Sequence, residues 1–235
     1  MIRVLKETRE VAQAESWARE RGLCKTPFWT KNWDNVLAIR TIVDGGVASP
    51  SVFDAGCRSA ILLPWLWQAG VRELYGCDLR APLPPLRAAM KRRQIRTALT
   101  LTSYLVANRR RLRRRDLTAT DMPSGSFDYV TSMSVIEHGV PLPAFFRECH
   151  RLLKPGGTLI FSTDYWPDSI DTGGLSRYNQ RDDIVFNRQQ IGELLSEAEA
   201  QGFTFTRPSC LDAGEALVLD RGLAYTFLYA ELAKN

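Results

Sequence analysis

The sequence predicts an α/β chain: a mostly parallel sheet with helices on both faces. Three observations predict it. Short apolar stretches alternate with amphipathic ones through residues 51–165, the rhythm of strand–helix–strand units. Two of the apolar stretches run into an acid, Asp54 and Asp78, 24 residues apart. Between them a small-residue turn, Asp54-Ala-Gly-Cys-Arg-Ser-Ala60, carries a strand straight into a helix. Glycine in such a turn lets backbone approach a ligand closely, and the helix start offers free N–H groups to it. Of the three glycines of a full dinucleotide-binding pattern only Gly56 is present, with Arg58 and Ala60 in the other two places.

A chain of 235 residues suits one α/β domain with appendages, and its 45% hydrophobic and 24% charged residues are those of a globular protein. No apolar run reaches the roughly 18 residues of a membrane span, and the charged first ten residues hold no signal-peptide core. The five cysteines show no metal or redox spacing, and their odd number favours reduced thiols and a cytoplasmic setting. With two histidines, His138 and His150, a His-rich metal site is excluded.

In order, residues 1–48 read as a helical and aromatic appendage to the domain over 49–235. Residues 10–21 have helical composition and end at Gly22. Phe28, Trp29 and Trp33 cluster in a loop, either covering a site or packing the appendage down, and residues 36–43 form a second helix. Residues 51–53 are the first strand, 61–69 a helix closed by Gly70, and 73–79 the second strand. A proline-rich loop follows, then one long helix over 87–108. Residues 111–115 lead into Asp116 as the third strand. After a polar loop, residues 129–133 make the fourth strand and deliver Ser134-Val-Ile-Glu-His138 to the same sheet edge. A helix over 143–153, the Lys154-Pro-Gly-Gly157 turn and a fifth strand over 158–162 follow. Asp164, Tyr165 and Trp166 leave that strand at the ligand edge, and the loop over 170–188 is long enough to be functional, as a substrate lid. A helix over 189–201 and strand candidates at 203–206, 216–219 and 224–229 complete the chain.

The net charge of +5 is unevenly spread, with six arginines between Arg109 and Arg115 and Lys91, Arg92, Arg93 and Arg96 upstream. Two readings are open: an anionic partner, whether nucleic acid, a membrane surface or a phosphate-bearing substrate, or a solvated helix end running into a strand. No aromatic residues are interleaved in the run for stacking on bases.

Taken together, residues 52–56, 74–78, 116–128, 134–138 and 151–158 resemble, in order and spacing, the class I S-adenosylmethionine-dependent methyltransferases. The resemblance covers roughly residues 50 to 165, and the Leu-Lys-Pro-Gly-Gly turn after Ser-Phe-Asp and Glu-His is its most specific combination. It implies a Rossmann-like, seven-stranded sheet and S-adenosylmethionine as cofactor. It assigns Asp54, Ala55 and Gly56 to the turn holding the cofactor's amino-acid end. Asp78 and Leu79 go to the ribose hydroxyls, Asp116 and Leu117 to the adenine, and Ser134 beneath the methyl donor. The family turn has glycine where this chain has Arg58, and usually where it has Ala60. Residues 162–172 resemble a bacterial subgroup acting on small molecules, often sugars.

Methyl transfer to a hydroxyl needs alignment and a base within hydrogen-bond reach. His138, at the ligand edge, is the first candidate, with Asp164 and Tyr165 second. Glu137 is as readily structural as catalytic, and His150 reads as structural. Trp29, Trp33, Tyr165 and Trp166 are candidates to stack on a sugar or ring face. The amino-methylating Asn/Asp-Pro-Pro-aromatic motif and the Pro-Cys nucleophile of cytosine methylation are both absent, which favours a small-molecule acceptor, an oxygen. A nucleic-acid methyltransferase or binder using the arginine run, and a non-catalytic relative with a degenerate turn, are the other two function classes.

Overall fold

The computed structural model describes residues 1–24, 29–58, 60–80, 86–91, 93–176 and 182–235. Phe28 and most of the proline-rich loop lie outside them. The strands are β1 (Ile2–Val4), β2 (Ser51–Ala55), β3 (Glu73–Asp78), β4 (Leu112–Arg114), β5 (Phe127–Met133), β6 (Leu153–Tyr165), β7 (Phe203–Thr204), β8 (Val218–Asp220) and β9 (Leu223–Lys234). The helices are α1 (Thr8–Glu20), α2 (Asn32–Asp44), α3 (Leu62–Gln68), α4 (Leu86–Lys91), α5 (Ile95–Asn108), α6 (Leu142–Leu152) and α7 (Arg188–Ala200).

Strand order is β1-β9-β6-β5-β2-β3-β4. The five strands from β6 to β4 run parallel, and β9 is antiparallel to β6 and pairs with β1, β7 and β8 as well. Nine strands therefore form among the described residues, against the seven implied by the resemblance; β1 comes from the segment read as an appendage, and β8 hairpins onto β9. The chain leaves β2 toward β3 and β4, then returns to place β5 on the other side of β2. The order reverses between these two neighbours, and the crevice beyond their C-terminal ends is where open α/β sheets bind ligands.

Alternation along the central strands builds two cores. Val52, Tyr129 and Ile160 face one side, where α2, α3 and α5 pack through Val36, Ile39, Trp65 and Leu101. Phe53, Val130 and Phe161 face the other, against α6 and α7 through Phe146, Leu152 and Leu194. β1 adds an edge strand, and Val11, Ala14 and Ala18 of α1 are buried in the first core.

The long helix expected over 87–108 is two. Arg93 has φ of +53°, a left-handed conformation that cannot continue a right-handed helix, and α5 restarts after Gln94. The Lys154–Gly157 turn is absorbed into β6 as a register shift opposite residues 127–129.

Candidate active site

A cavity of about 630 Å³ opens at the switch point. Its wall is built from the ends of four parallel strands. From β2 come Gly56 and Arg58; from β3, Asp78 and Leu79; from β5, Ser134, Val135, Glu137 and His138; from β6, Asp164. Leu117 and Arg114 close it near the end of β4. The remaining side is lined by Lys31 and Asn35 at the start of α2 and by Tyr225 and Phe227 on β9.

The turn after β2 is tightly specified. Gly56 and Cys57 both donate their N–H to the carbonyl of Cys77, at 2.8 and 3.0 Å. Gly56 has φ of +92°, and a Cβ there would lie 2.4 Å from a Val135 methyl. Position 56 thus has no room for a side chain. Asp78, at the end of β3, accepts from the backbone N–H of Arg58 (3.3 Å) and of Arg80 (2.9 Å). Two carboxylate oxygens offer about four acceptor positions, so further acceptor capacity remains for hydroxyl groups.

Asp54 is buried, 1% exposed. One carboxyl oxygen accepts from the Thr131 hydroxyl at 2.7 Å; the other has no hydrogen-bond partner among the described residues. Burial above all, with the nearby Asp78 charge adding to it, pushes this carboxyl up to about 7. Glu137 is equally buried and is raised well above its usual range, by burial first and by the neighbouring Asp164 second. Glu137 on the cavity lining and Asp54 buried at the end of β2 are thus both acids that burial holds toward neutrality.

His138 Nδ1 lies 2.8 Å from Asp183 Oδ1. This contact orients the imidazole ring at the cavity wall. Across the cavity Lys31 pairs with the buried Asp34 at 3.3 Å, hydrogen-bonds the Ser134 hydroxyl and sits 3.3 Å above the Phe227 ring. Asp34 is held in turn by the Ser162 hydroxyl at 2.7 Å.

Of the residues singled out from sequence, Gly56, Asp78, Leu79, Leu117, Ser134, His138 and Asp164 come together on this wall. Asp54 and Ala55 sit buried at the end of β2, and the Ala55 carbonyl accepts from the Ser132 hydroxyl. Asp116 is exposed, turned onto the Thr118 N–H and hydroxyl, and is absent from the lining. Tyr165 must be corrected: alternation along β6 sends it to the opposite face from Asp164, fully buried, where its hydroxyl donates to the Leu211 carbonyl. Nor do the tryptophans line the cavity. Trp33 packs edge-on against Tyr229, Trp29 is bound to Glu15 at the surface, and Trp166 packs against the first core. Among the described residues the aromatic side chains on the lining are Tyr225 and Phe227. His150 packs edge-on against Phe203, away from the site. Sequence reasoning missed Lys31, Asp183 and the two β9 aromatics; their only signal was an aromatic at every second position, 225 and 227, in a strand.

The protein family described as "Methyltransferase domain" matches residues 53–161. A ubiquinone biosynthesis O-methyltransferase of Pseudomonas paraeruginosa is 33% identical over 157 residues, which cover 66% of this chain and 62% of that protein. The chain thus spans under two thirds of the length of such relatives. A protein of the same description from Alkalilimnicola ehrlichii is 32% identical over 222 residues, 91% of this chain and 79% of its own. Among solved structures, the 1,6-didemethyltoxoflavin-N1-methyltransferase of Burkholderia thailandensis, bound to that substrate and S-adenosylhomocysteine, aligns with a TM-score of 0.54. At 20% identity over 98% of this chain and 92% of its own, this is a likeness of fold.

Proposed function

The chain belongs to the class I S-adenosylmethionine-dependent methyltransferases, and we propose that it transfers the methyl group to a hydroxyl oxygen of a small molecule. The observation that carries the reading is one cavity joining the Gly56 turn and Asp78 to the His138–Asp183 pair.

The residues present fit the cofactor. The unpartnered oxygen of Asp54 and the backbone of the Gly56 turn on the cavity lining suit its amino-acid end, Asp78 the two ribose hydroxyls, and Leu117 the adenine face. Arg58 stands where the family has glycine; its backbone N–H holds Asp78. Bound S-adenosylmethionine supplies a methyl carbon made electrophilic by the sulfonium it leaves. The chain's own part is alignment and proton handling. His138 Nε2, its ring oriented by Asp183, takes the acceptor's proton as the oxygen attacks. Tyr225 and Phe227 offer faces to a ring-shaped acceptor, phenolic or sugar. An oxygen acceptor agrees with the names of the curated relatives, O-methyltransferases.

Calorimetric titration with S-adenosylhomocysteine tests the cofactor half. Asp78→Ala removes two hydrogen bonds to a charged group and should weaken binding about ten- to a hundredfold or more. Transfer of labelled methyl to a panel of phenols and sugar conjugates tests the other half. His138→Gln should lower kcat there and leave the S-adenosylhomocysteine affinity in place. Unchanged turnover would remove His138 from the chemistry, and acceptance only of amines would remove the hydroxyl.

A further inference from the structure

Residues 79–115 hold twelve Lys and Arg and no Asp or Glu. The whole chain holds 31 basic and 26 acidic residues, so everything outside this segment carries 19 basic against 26 acidic. The rest of the chain is therefore net acidic and bears one strongly cationic module, the α4–α5 excursion between β3 and β4. Some of this charge is used internally: Arg111 pairs with Glu73 at 2.8 Å and Arg115 with Asp121 at 2.8 Å. Lys91, Arg93, Arg96, Arg109 and Arg110 are exposed around α5.

The same module is apolar on the outside. On α5, residues 97, 101, 104 and 108 are buried, and they are Thr, Leu, Tyr and Asn. The opposite face, at the same helical spacing, carries Ile95, Leu99, Thr102 and Val106. Ile95 is 72% exposed, Leu99 63%, Val106 70% and Met90 of α4 63%. The solvent face of this helix is thus at least as apolar as the core face. Arg96 beside Ile95, and Arg109 and Arg110 one turn beyond Val106, flank the stripe.

We propose that the outer face of α4 and α5 is a peripheral docking surface for an anionic lipid bilayer. An apolar stripe bordered by Lys and Arg is the arrangement that lies in the headgroup plane, its aliphatic side chains among acyl chains and its cations on phosphates. Charge decides against the other occupants. A second copy docking through the same face would bring one cationic module onto another. Nucleic acid would answer the arginines but not the aliphatic stripe, because binding to unpaired bases rests on aromatic platforms, and the exposed large side chains here are aliphatic. Leu79, Arg80 and Arg114, which belong to the same stretch of sequence, line the cavity.

The test is flotation of the full chain with vesicles of phosphatidylcholine and phosphatidylglycerol, and with phosphatidylcholine alone, at low and high salt. Binding to the anionic vesicles is expected, reduced by salt and absent on neutral ones. Replacing Ile95, Leu99 and Val106 together by Gln keeps helix propensity and should cut partitioning on the order of tenfold or more. Arg93→Glu with Arg96→Glu should do the same. The S-adenosylhomocysteine affinity should hold in both, since none of these residues lines the cavity. No flotation of the unmodified chain with anionic vesicles at low salt overturns the proposal. So does equal binding to neutral vesicles, or a Gln variant that floats like the parent. Tighter binding to a single-stranded RNA oligonucleotide, retained by the Gln variant, would overturn it in favour of nucleic acid.

Discussion

Asp54→Asn is the substitution that most directly tests the electrostatics of the site. Asp54 is almost wholly buried, and its carboxyl rises from 3.8 to about 7 because burial disfavours the charged form. That difference corresponds to about 4 kcal/mol, at about 1.4 kcal/mol per pH unit, by which ionising Asp54 is harder in the folded, ligand-free chain than in the unfolded one. The sign follows from linkage. Between about pH 4 and pH 7 the folded chain holds a proton here that the unfolded chain has released. Its stability therefore falls as pH rises through that window and levels off above it. Asn keeps the shape, cannot ionise and loses this dependence. Urea unfolding of parent and variant should show the variant gaining on the parent by several kcal/mol between about pH 4 and pH 8, with other titrating groups cancelling in the difference. A difference that stays flat across the window would refute the argument, because Asp54 would then ionise as freely folded as unfolded. The variant should also bind S-adenosylhomocysteine less well: the residue that destabilises the empty chain is the one assigned to the ligand's cationic end.

The remaining expectations are simpler. Gly56→Ala forces a side chain into a left-handed conformation and against Val135; it should cost about 1–3 kcal/mol in urea unfolding and weaken S-adenosylhomocysteine binding. Tyr165→Phe removes a buried hydroxyl from the Leu211 carbonyl, so it should lower stability by about 1 kcal/mol and leave methyl transfer alone. A large fall in kcat with unchanged stability would return Tyr165 to the reaction.

The fold was legible because its signals are local. Apolar runs ending in Asp54 and Asp78 and the Gly56 turn each announce themselves over a few residues, and βαβ handedness and the order reversal then bring the strand ends to one edge. What was illegible depends on phase or on distance. In a strand one residue decides the face: Asp164 and Tyr165 look equivalent at the end of β6, yet the first lines the cavity and the second is core. The same parity gives the cavity Tyr225 and Phe227 while Thr226 between them donates to the Leu5 carbonyl.

Distance accounts for the cavity's other surprises. Lys31 and Asp34 precede the first central strand by some twenty residues and read as part of an appendage. They nonetheless complete the wall through Ser134 and Ser162, over a hundred positions away in each case. Asp183 reaches His138 from a loop 45 residues downstream. No window along the chain holds either pairing, because each needs β5 and β6 already in place as neighbours. On the proposed reading, such contacts make the acceptor side of the cavity, while the cofactor side is written in contiguous turns. Sequence resemblance would then reach the methyl donor before the substrate: the Gly56 turn and Asp78 need only their own strands, whereas Lys31, His138–Asp183 and Phe227 need the whole sheet.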